Sequence, residues 1–214
     1  QALNFGYKGL FVRFPAWINI DNYLNADTKR LSTGTFKIIF VGSVTERKNP
    51  KIIIESLETI DEDISFEIIG QTPNLKYLKE LNKLIASSKH AKSITMTPFI
   101  KAEELILKYS SANLFILPSK SEGLGRVIIE AQSTACPVLV SSNTGMTDLI
   151  IENETGYIFE NNNKNDLTKK IQYIIDNYES ALQIGLNSKD FVKENQSVTN
   201  FEFGYKKLID LVST

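Results

Sequence analysis

From Phe36 onward, six short runs of nearly unbroken Ile, Val, Phe and Leu punctuate the chain. They are Phe36 to Val41, Ser65 to Ile69, Ser93 to Thr97, Asn113 to Leu117, Pro137 to Ser141 and Tyr157 to Phe159. Strands of a parallel sheet covered on both faces lose the apolar–polar alternation of half-exposed strands, and these runs read that way. Between them the apolar spacing lengthens to that of a helix. Pro50 to Ile60 carries Ile53, Ile54, Leu57 and Ile60, and Leu75 to Ala86 carries Leu75, Leu78, Leu81, Leu84 and Ile85. After Phe159 the pattern turns helical. Asp166 to Asn177 is amphipathic through Leu167, Ile171, Ile174 and Ile175, and two further helical segments run to Leu211. This alternation predicts an α/β fold, a doubly wound sheet of about six parallel strands with helices on both faces and ligands at the carboxyl ends of the strands. Gln1 to Thr35 lacks the rhythm, and Leu31 to Gly34 reads as a loop into the first strand.

Composition narrows the function classes. With 214 residues, 42% hydrophobic and 23% charged, the chain fits one sizeable globular domain with an appended segment. A net charge of −1 supplies no field for nucleic acid. No apolar run approaches the ~20 residues that span a bilayer. Cys136 is the one cysteine, so no internal disulfide forms. His90 is the one histidine, and its neighbours Lys89 and Lys92 make a solvated loop the expected setting.

Three loops carry chemistry. The first strand ends at Gly42, and Ser43 to Lys48 follow, with Asn49 as expected N-cap and Pro50 as first helical residue. Arg47 and Lys48 then stand at the positive end of a helix dipole, a placement that makes sense if an anion binds there. By spacing alone the more common reading is two solvated loop charges.

The second loop, Ser119-Lys120-Ser121-Glu122-Gly123-Leu124-Gly125-Arg126, opens a helix through Ala135. Gly123 and Gly125 let the backbone turn tightly and aim its N–H groups outward, a cradle suited to phosphate. Val127, Ile128, Ala131 and Ala135 fall on one helix face, and Glu130 points off it by roughly 120°. Glu130 also lies about 9 Å along the axis from Leu124, so a diphosphate at the helix start sets a ribose beside it. The alternative is a surface pair of Arg126 with Glu130. In the third loop, Ser142 to Asp148, Gly145 permits close backbone approach and Thr147 is placed to cap a short helix from Asp148 to Ile151.

Together these residues resemble the C-terminal domain of family-4 retaining glycosyltransferases, which have the GT-B fold of two Rossmann-like halves. The family's Glu-x7-Glu pair matches Glu122 and Glu130, and the match continues through Pro137 to Ser141, Thr144-Gly145 and Glu154-Thr-Gly-Tyr-Ile. Upstream, Phe40 to Pro50 resembles the family's glycine-to-lysine loop, and Gly70-Gln-Thr-Pro its second loop.

The resemblance implies a donor site for a UDP- or GDP-linked sugar, with retention of configuration and neither metal nor other cofactor. Lys48 would bind the diphosphate beside the Gly42 turn, with the amides of Gly123, Leu124 and Gly125 near the phosphates. Glu130 would hold the ribose, and Glu122 hydroxyls of the transferred sugar at the catalytic position. Gly70 to Pro73, and Phe99 within Thr97 to Ile100, would flank the base, and Gly145 would mark the third-loop turn. Two departures stand out. Ser43 occupies a position where the family commonly has arginine, with Arg47 as the substitute charge, and Thr144 to Asp148 replaces a Gly-Gly-x-Pro-Glu loop.

Residues 1–35 are then an interdomain segment, 36–177 the nucleotide-sugar domain, and 178–214 helices returning toward an N-terminal domain that binds an acceptor glycan or glycolipid. The expectation is an excised half, inactive alone, from a cytoplasmic enzyme of bacterial polysaccharide or glycoconjugate synthesis, peripheral to the inner membrane face through that domain. The alternatives are a GT-B epimerase or phosphorylase and a non-catalytic nucleotide-sugar-binding module. The missing Gly-x-Gly-x-x-Gly and Gly-Lys-Ser/Thr argue against a dinucleotide dehydrogenase and a P-loop protein, and Gly42-Ser43 where acidic residues are needed argues against a receiver domain.

Overall fold

All six apolar runs become strands of one parallel sheet, each within one residue of the span read from the pattern. The computed structural model describes residues 18–28, 30, 33–123, 125–144, 149–196 and 198–212. The strands are β1 (Phe36–Val41), β2 (Ile64–Ile69), β3 (Ile94–Thr97), β4 (Leu114–Leu117), β5 (Val138–Ser141) and β6 (Tyr157–Phe159), in the order β3-β2-β1-β4-β5-β6. β1 pairs with β2 from Phe36↔Ile64 to Val41↔Ile69, and on its other edge with β4 at Ile38↔Leu114 and Ile39↔Phe115. The chain therefore builds outward from β1 to β3, then returns to lay β4 on the far side of β1. Where the winding reverses, consecutive loops diverge and leave a crevice at the strands' carboxyl ends.

The helices are α1 (Asp21–Leu24), α2 (Lys51–Leu57), α3 (Leu75–Ser87), α4 (Ala102–Ser111), α5 (Arg126–Ser133), α6 (Lys164–Asp176), α7 (Tyr178–Asn195) and α8 (Val198–Val212). In one layer α2 packs against α3 and α6, and in the other α5 packs against α1, α4 and α7. Asn74 starts α3 by accepting from the amides of Lys76 and Tyr77, and Asn163 starts α6 by accepting from Asp166. The buried centre runs along the sheet through Ile38, Phe40, Phe66, Phe115 and Leu139. Each such side chain contributes about 1.5–3 kcal/mol by leaving water. A smaller cluster of Ile20, Ile129, Leu149 and Val192 joins α1, α5 and α7. Gly185 lets α7 approach the backbone that follows α5, since a Cβ there would lie 2.3 Å from the Ala135 carbonyl oxygen.

Several expectations need correction. Asn49 is no N-cap: its φ is 53°, outside the extended region a cap adopts, and its side chain reaches Asn162 instead. Pro50 takes the cap position, and α2 ends at Leu57 rather than running to Ile60. His90 is not a solvated loop residue. It is half-buried with Nε2 3.1 Å from the Leu57 carbonyl and 3.3 Å from that of Ile60, closing the end of α2. The helix α4 was not singled out by the apolar pattern, because Leu105, Ile106 and Leu107 are consecutive and Leu107 faces solvent. Among the described residues, no helix is long and apolar enough to cross a membrane.

Candidate functional site

At the carboxyl ends of β1 and β2 the two backbones nearly touch. Gly42 and Gly70 have φ of 144° and 148°, and a Cβ on Gly70 would lie 1.9 Å from the Gly42 carbonyl oxygen. Only glycine fits that approach. Amides bridge neighbouring strand ends in a staircase, Gly42 to Ile69 at 2.9 Å, Val44 to Gln71 at 2.8 Å and Gly70 to Thr97 at 2.8 Å. The loop after β1 is thus anchored by its first residues and projects Arg47 and Lys48 toward β4.

The loop after β4 meets it. Lys48 Nζ donates to Glu122 Oε2, and both side chains are largely buried. Arg47 lies 3.6 Å from the same carboxylate oxygen and donates to the Ser121 carbonyl at 2.6 Å, while the Lys120 amide donates to the Arg47 carbonyl at 2.8 Å. The cation and carboxylate named from the sequence are therefore in direct contact, with Arg47 beside them at the more exposed edge. Glu122 also forms a backbone bridge with Thr144 of the third loop. Gly123 is exposed and Gly125 is the buried cap residue of α5. Leu124, Gly145 and Thr147 lie outside the described residues.

A set of amide side chains supports this arrangement, and sequence reasoning missed it. Asn143 and Asn161 both donate to the Lys120 carbonyl, at 3.4 Å and 3.3 Å, and Asn49 donates to Asn162 at 3.4 Å. Ser141 Oγ donates to the Ser119 carbonyl. The loops after β1, β4, β5 and β6 are thereby tied together. The run Asn161-Asn162-Asn163 just after the last strand was the available signal.

Glu130 sits on the first turns of α5, but it does not stand clear of neighbouring helices. It is half-buried, and the buried Tyr109 hydroxyl on α4 donates to its Oε2 at 3.2 Å. Burial pushes the Glu130 carboxyl above the usual carboxylate range, while the Tyr109 hydrogen bond and the Arg126 charge oppose that shift. Tyr23 on α1 is pushed up to about 12, first by burial and then by the Glu130 charge. A surface ion pair of Arg126 with Glu130 does not describe this carboxylate, whose hydrogen-bond partner is Tyr109.

Beside the β2 and β3 ends lies a cavity of about 540 Å³, walled by the Gly70 to Pro73 loop with Leu78, Met96 and Pro98. An apolar slot with a few polar groups suits a flat heterocycle. Phe99, expected beside the base, is 73% exposed and does not line this cavity.

The model of the glycosyl transferases group 1 family matches residues 25–191. The chain belongs to that family. Among curated relatives of this group 1 chain is the uncharacterized glycosyltransferase MJ1178 of Methanocaldococcus jannaschii, 29% identical over 158 residues, covering 73% of this chain and 43% of that protein. The C-terminal domain of LpcC, a glycosyl transferase group 1 protein of Francisella tularensis, superposes with a TM-score of 0.71 at 22% identity, covering 87% of this chain and 97% of that one. Anabaena Alr3699/HepE in complex with UDP-glucose superposes with a TM-score of 0.76 at 19% identity, covering 84% of this chain and 50% of that one. The group 1 chain thus has the fold of a GT-B C-terminal domain, and it spans less than half the length of the first curated relative it matches.

Proposed function

We propose that this chain binds the nucleoside diphosphate of a nucleotide sugar and is the donor half of a glycosyltransferase that retains anomeric configuration. The observation that carries the reading is the meeting of Lys48 and Glu122 in the crevice between β1 and β4. Sugar transfer from such a donor breaks the bond between the anomeric carbon and a phosphate oxygen, and negative charge grows on the departing diphosphate. A fixed ammonium at Lys48, the Arg47 guanidinium at the rim and the amides of Gly123 to Gly125 lower the energy of that charge without a metal ion. Glu122, 3.6 Å from Arg47 and in contact with Lys48, then turns its carboxylate to hydroxyls of the transferred sugar. Glu130 accepts from the ribose, and the cavity by Gly70 to Pro73 takes the base. An acceptor glycan or glycolipid approaches from the side of the crevice opposite these loops. The UDP-glucose-bound Anabaena protein of the same fold supports a uridine-linked donor, with a guanosine-linked one as the alternative.

The test is titration of the isotopically labelled chain with UDP, GDP and ADP in the presence of a chelator, followed by backbone amide shifts. Saturable shifts for one diphosphate, concentrated at residues 42–48, 70–73 and 119–130, are expected. Shifts for none of them, or shifts centred away from the crevice, would remove the reading.

A further inference from the structure

We infer that the buried hydroxyl of Tyr109 is a positioning group for nucleoside recognition, orienting the Glu130 carboxylate toward the ribose. The inference rests on the reading of Glu130 as the ribose contact. Tyr109 is fully buried on α4, with its ring edge-on to Phe115 at 5.7 Å and tilted against Tyr23 at 6.3 Å. A tyrosine has two side-chain torsions, and packing on both sides leaves its hydroxyl one place to be. That place is 3.2 Å from Glu130 Oε2.

The distance between the two helices is itself pinned. Arg30 donates to the carbonyls of Tyr109 and Ala112 at the end of α4, both at 2.7 Å, and to that of Thr134 after α5 at 2.9 Å. One guanidinium fork thus cross-ties the two helix ends whose neighbouring turns carry Tyr109 and Glu130. A core tyrosine held for packing alone is replaceable by phenylalanine, and its hydroxyl needs only some acceptor. Here the acceptor is the ionisable carboxylate to which the proposed function assigns the ribose.

The hydroxyl has two effects on that carboxylate. It fixes Oε2, leaving Oε1 and the remaining lone pairs to receive a ribose diol. It also favours the ionised form against the burial that disfavours it, in concert with Arg126 on the same helix. Tyr109 stays a neutral donor throughout, because burial and the Glu130 charge raise its own hydroxyl well above 10.

The experiment compares whichever of UDP, GDP and ADP the chain binds with its 2′-deoxy counterpart, in wild type and Tyr109→Phe, from about pH 5 to about pH 9. The wild type should prefer the ribo form by about 10-fold. Tyr109→Phe should reduce the preference to about 2-fold and move upward the pH at which it disappears, since Glu130 then loses a bond that keeps it ionised. Circular dichroism reads whether the variant folds. A second comparison adds Tyr109→Phe to Glu130→Gln, where no further change in the ribo-to-deoxy ratio is expected if Tyr109 acts through Glu130. An unchanged ratio and pH midpoint in Tyr109→Phe, or an additive loss in the double variant, would overturn the positioning role alone. Absence of any ribose preference in wild type would overturn the Glu130 reading and this inference with it.

Discussion

Lys48 and Glu122 stand 74 positions apart in the chain and meet as an ion pair that leaves only 12% of one side chain and 9% of the other exposed. Neither residue is adjacent to the other in any element; the sheet order brings them together. Lys48 follows β1 and Glu122 follows β4, and these two strands are neighbours because the winding reverses between them. On the proposed reading, a donor that enters the crevice exchanges this contact, phosphate replacing carboxylate on the ammonium and sugar hydroxyls replacing ammonium on the carboxylate.

That exchange separates the effects of the two partners. Glu122→Gln frees Lys48 from its counter-charge and is expected to raise affinity for a bare nucleoside diphosphate by about 2–5-fold. The same variant should lose the advantage of the nucleotide sugar over the bare diphosphate. Isothermal titration of both ligands reads the two changes together, and a fall in diphosphate affinity would contradict the exchange.

Glu130 carries a stability cost that is readable through pH. Its carboxyl is raised by burial in the folded chain, so the protonated form suits the fold and ionisation opposes it. The stabilising state is fully present below the ordinary glutamate value and is lost as pH rises through the raised one. Glu130→Gln keeps an acceptor for Tyr109 without the charge, so Tm at neutral pH should rise by about 2–4 °C. The gain should vanish in acid, where wild type is protonated too. Nucleotide affinity should fall by about 10-fold at neutral pH. Thermal melts across pH and a binding isotherm check both halves.

Much of the fold was legible because its strands are buried on both faces, and a run such as Leu114-Phe115-Ile116-Leu117 has few other readings. The loops after β1 and β4 were legible from local signals too, as glycines and charges between a strand and a helix. The contacts between elements were not. The Lys48–Glu122 pair, the Tyr109–Glu130 bond and the asparagines holding the Lys120 carbonyl all depend on strand order and helix layering, which local pattern does not encode. Asn49 shows the limit at short range. Asn before Pro suggested a cap, but a link across to Asn162 holds it in a left-handed conformation.

Gly70→Ala is expected to be among the most damaging single-methyl changes. Its Cβ would collide with backbone at 1.9 Å, and the strand ends cannot part without breaking the hydrogen bonds that the Gly42 and Val44 amides donate to Ile69 and Gln71. A loss of about 3 kcal/mol or more follows. Gly123→Ala is the control, since a Cβ there meets nothing within 4 Å, and its Tm should stay at the wild-type value.

Arg30→Ala removes donors from three carbonyls at the ends of α4 and α5 and should cost about 2–4 kcal/mol in chemical denaturation. Arg30→Lys should recover little of it, because one ammonium cannot reproduce the planar fork.

On the proposed reading, Lys48 holds a diphosphate in the crevice between β1 and β4. Calorimetric titration in a chelator, with a nucleoside diphosphate and the matching monophosphate, puts this to the test in wild type and Lys48→Ala. Wild type should bind the diphosphate at least about 10-fold more tightly, and Lys48→Ala should bring the two affinities close together. Equal affinities in wild type, or a diphosphate preference that survives Lys48→Ala, would contradict the claim.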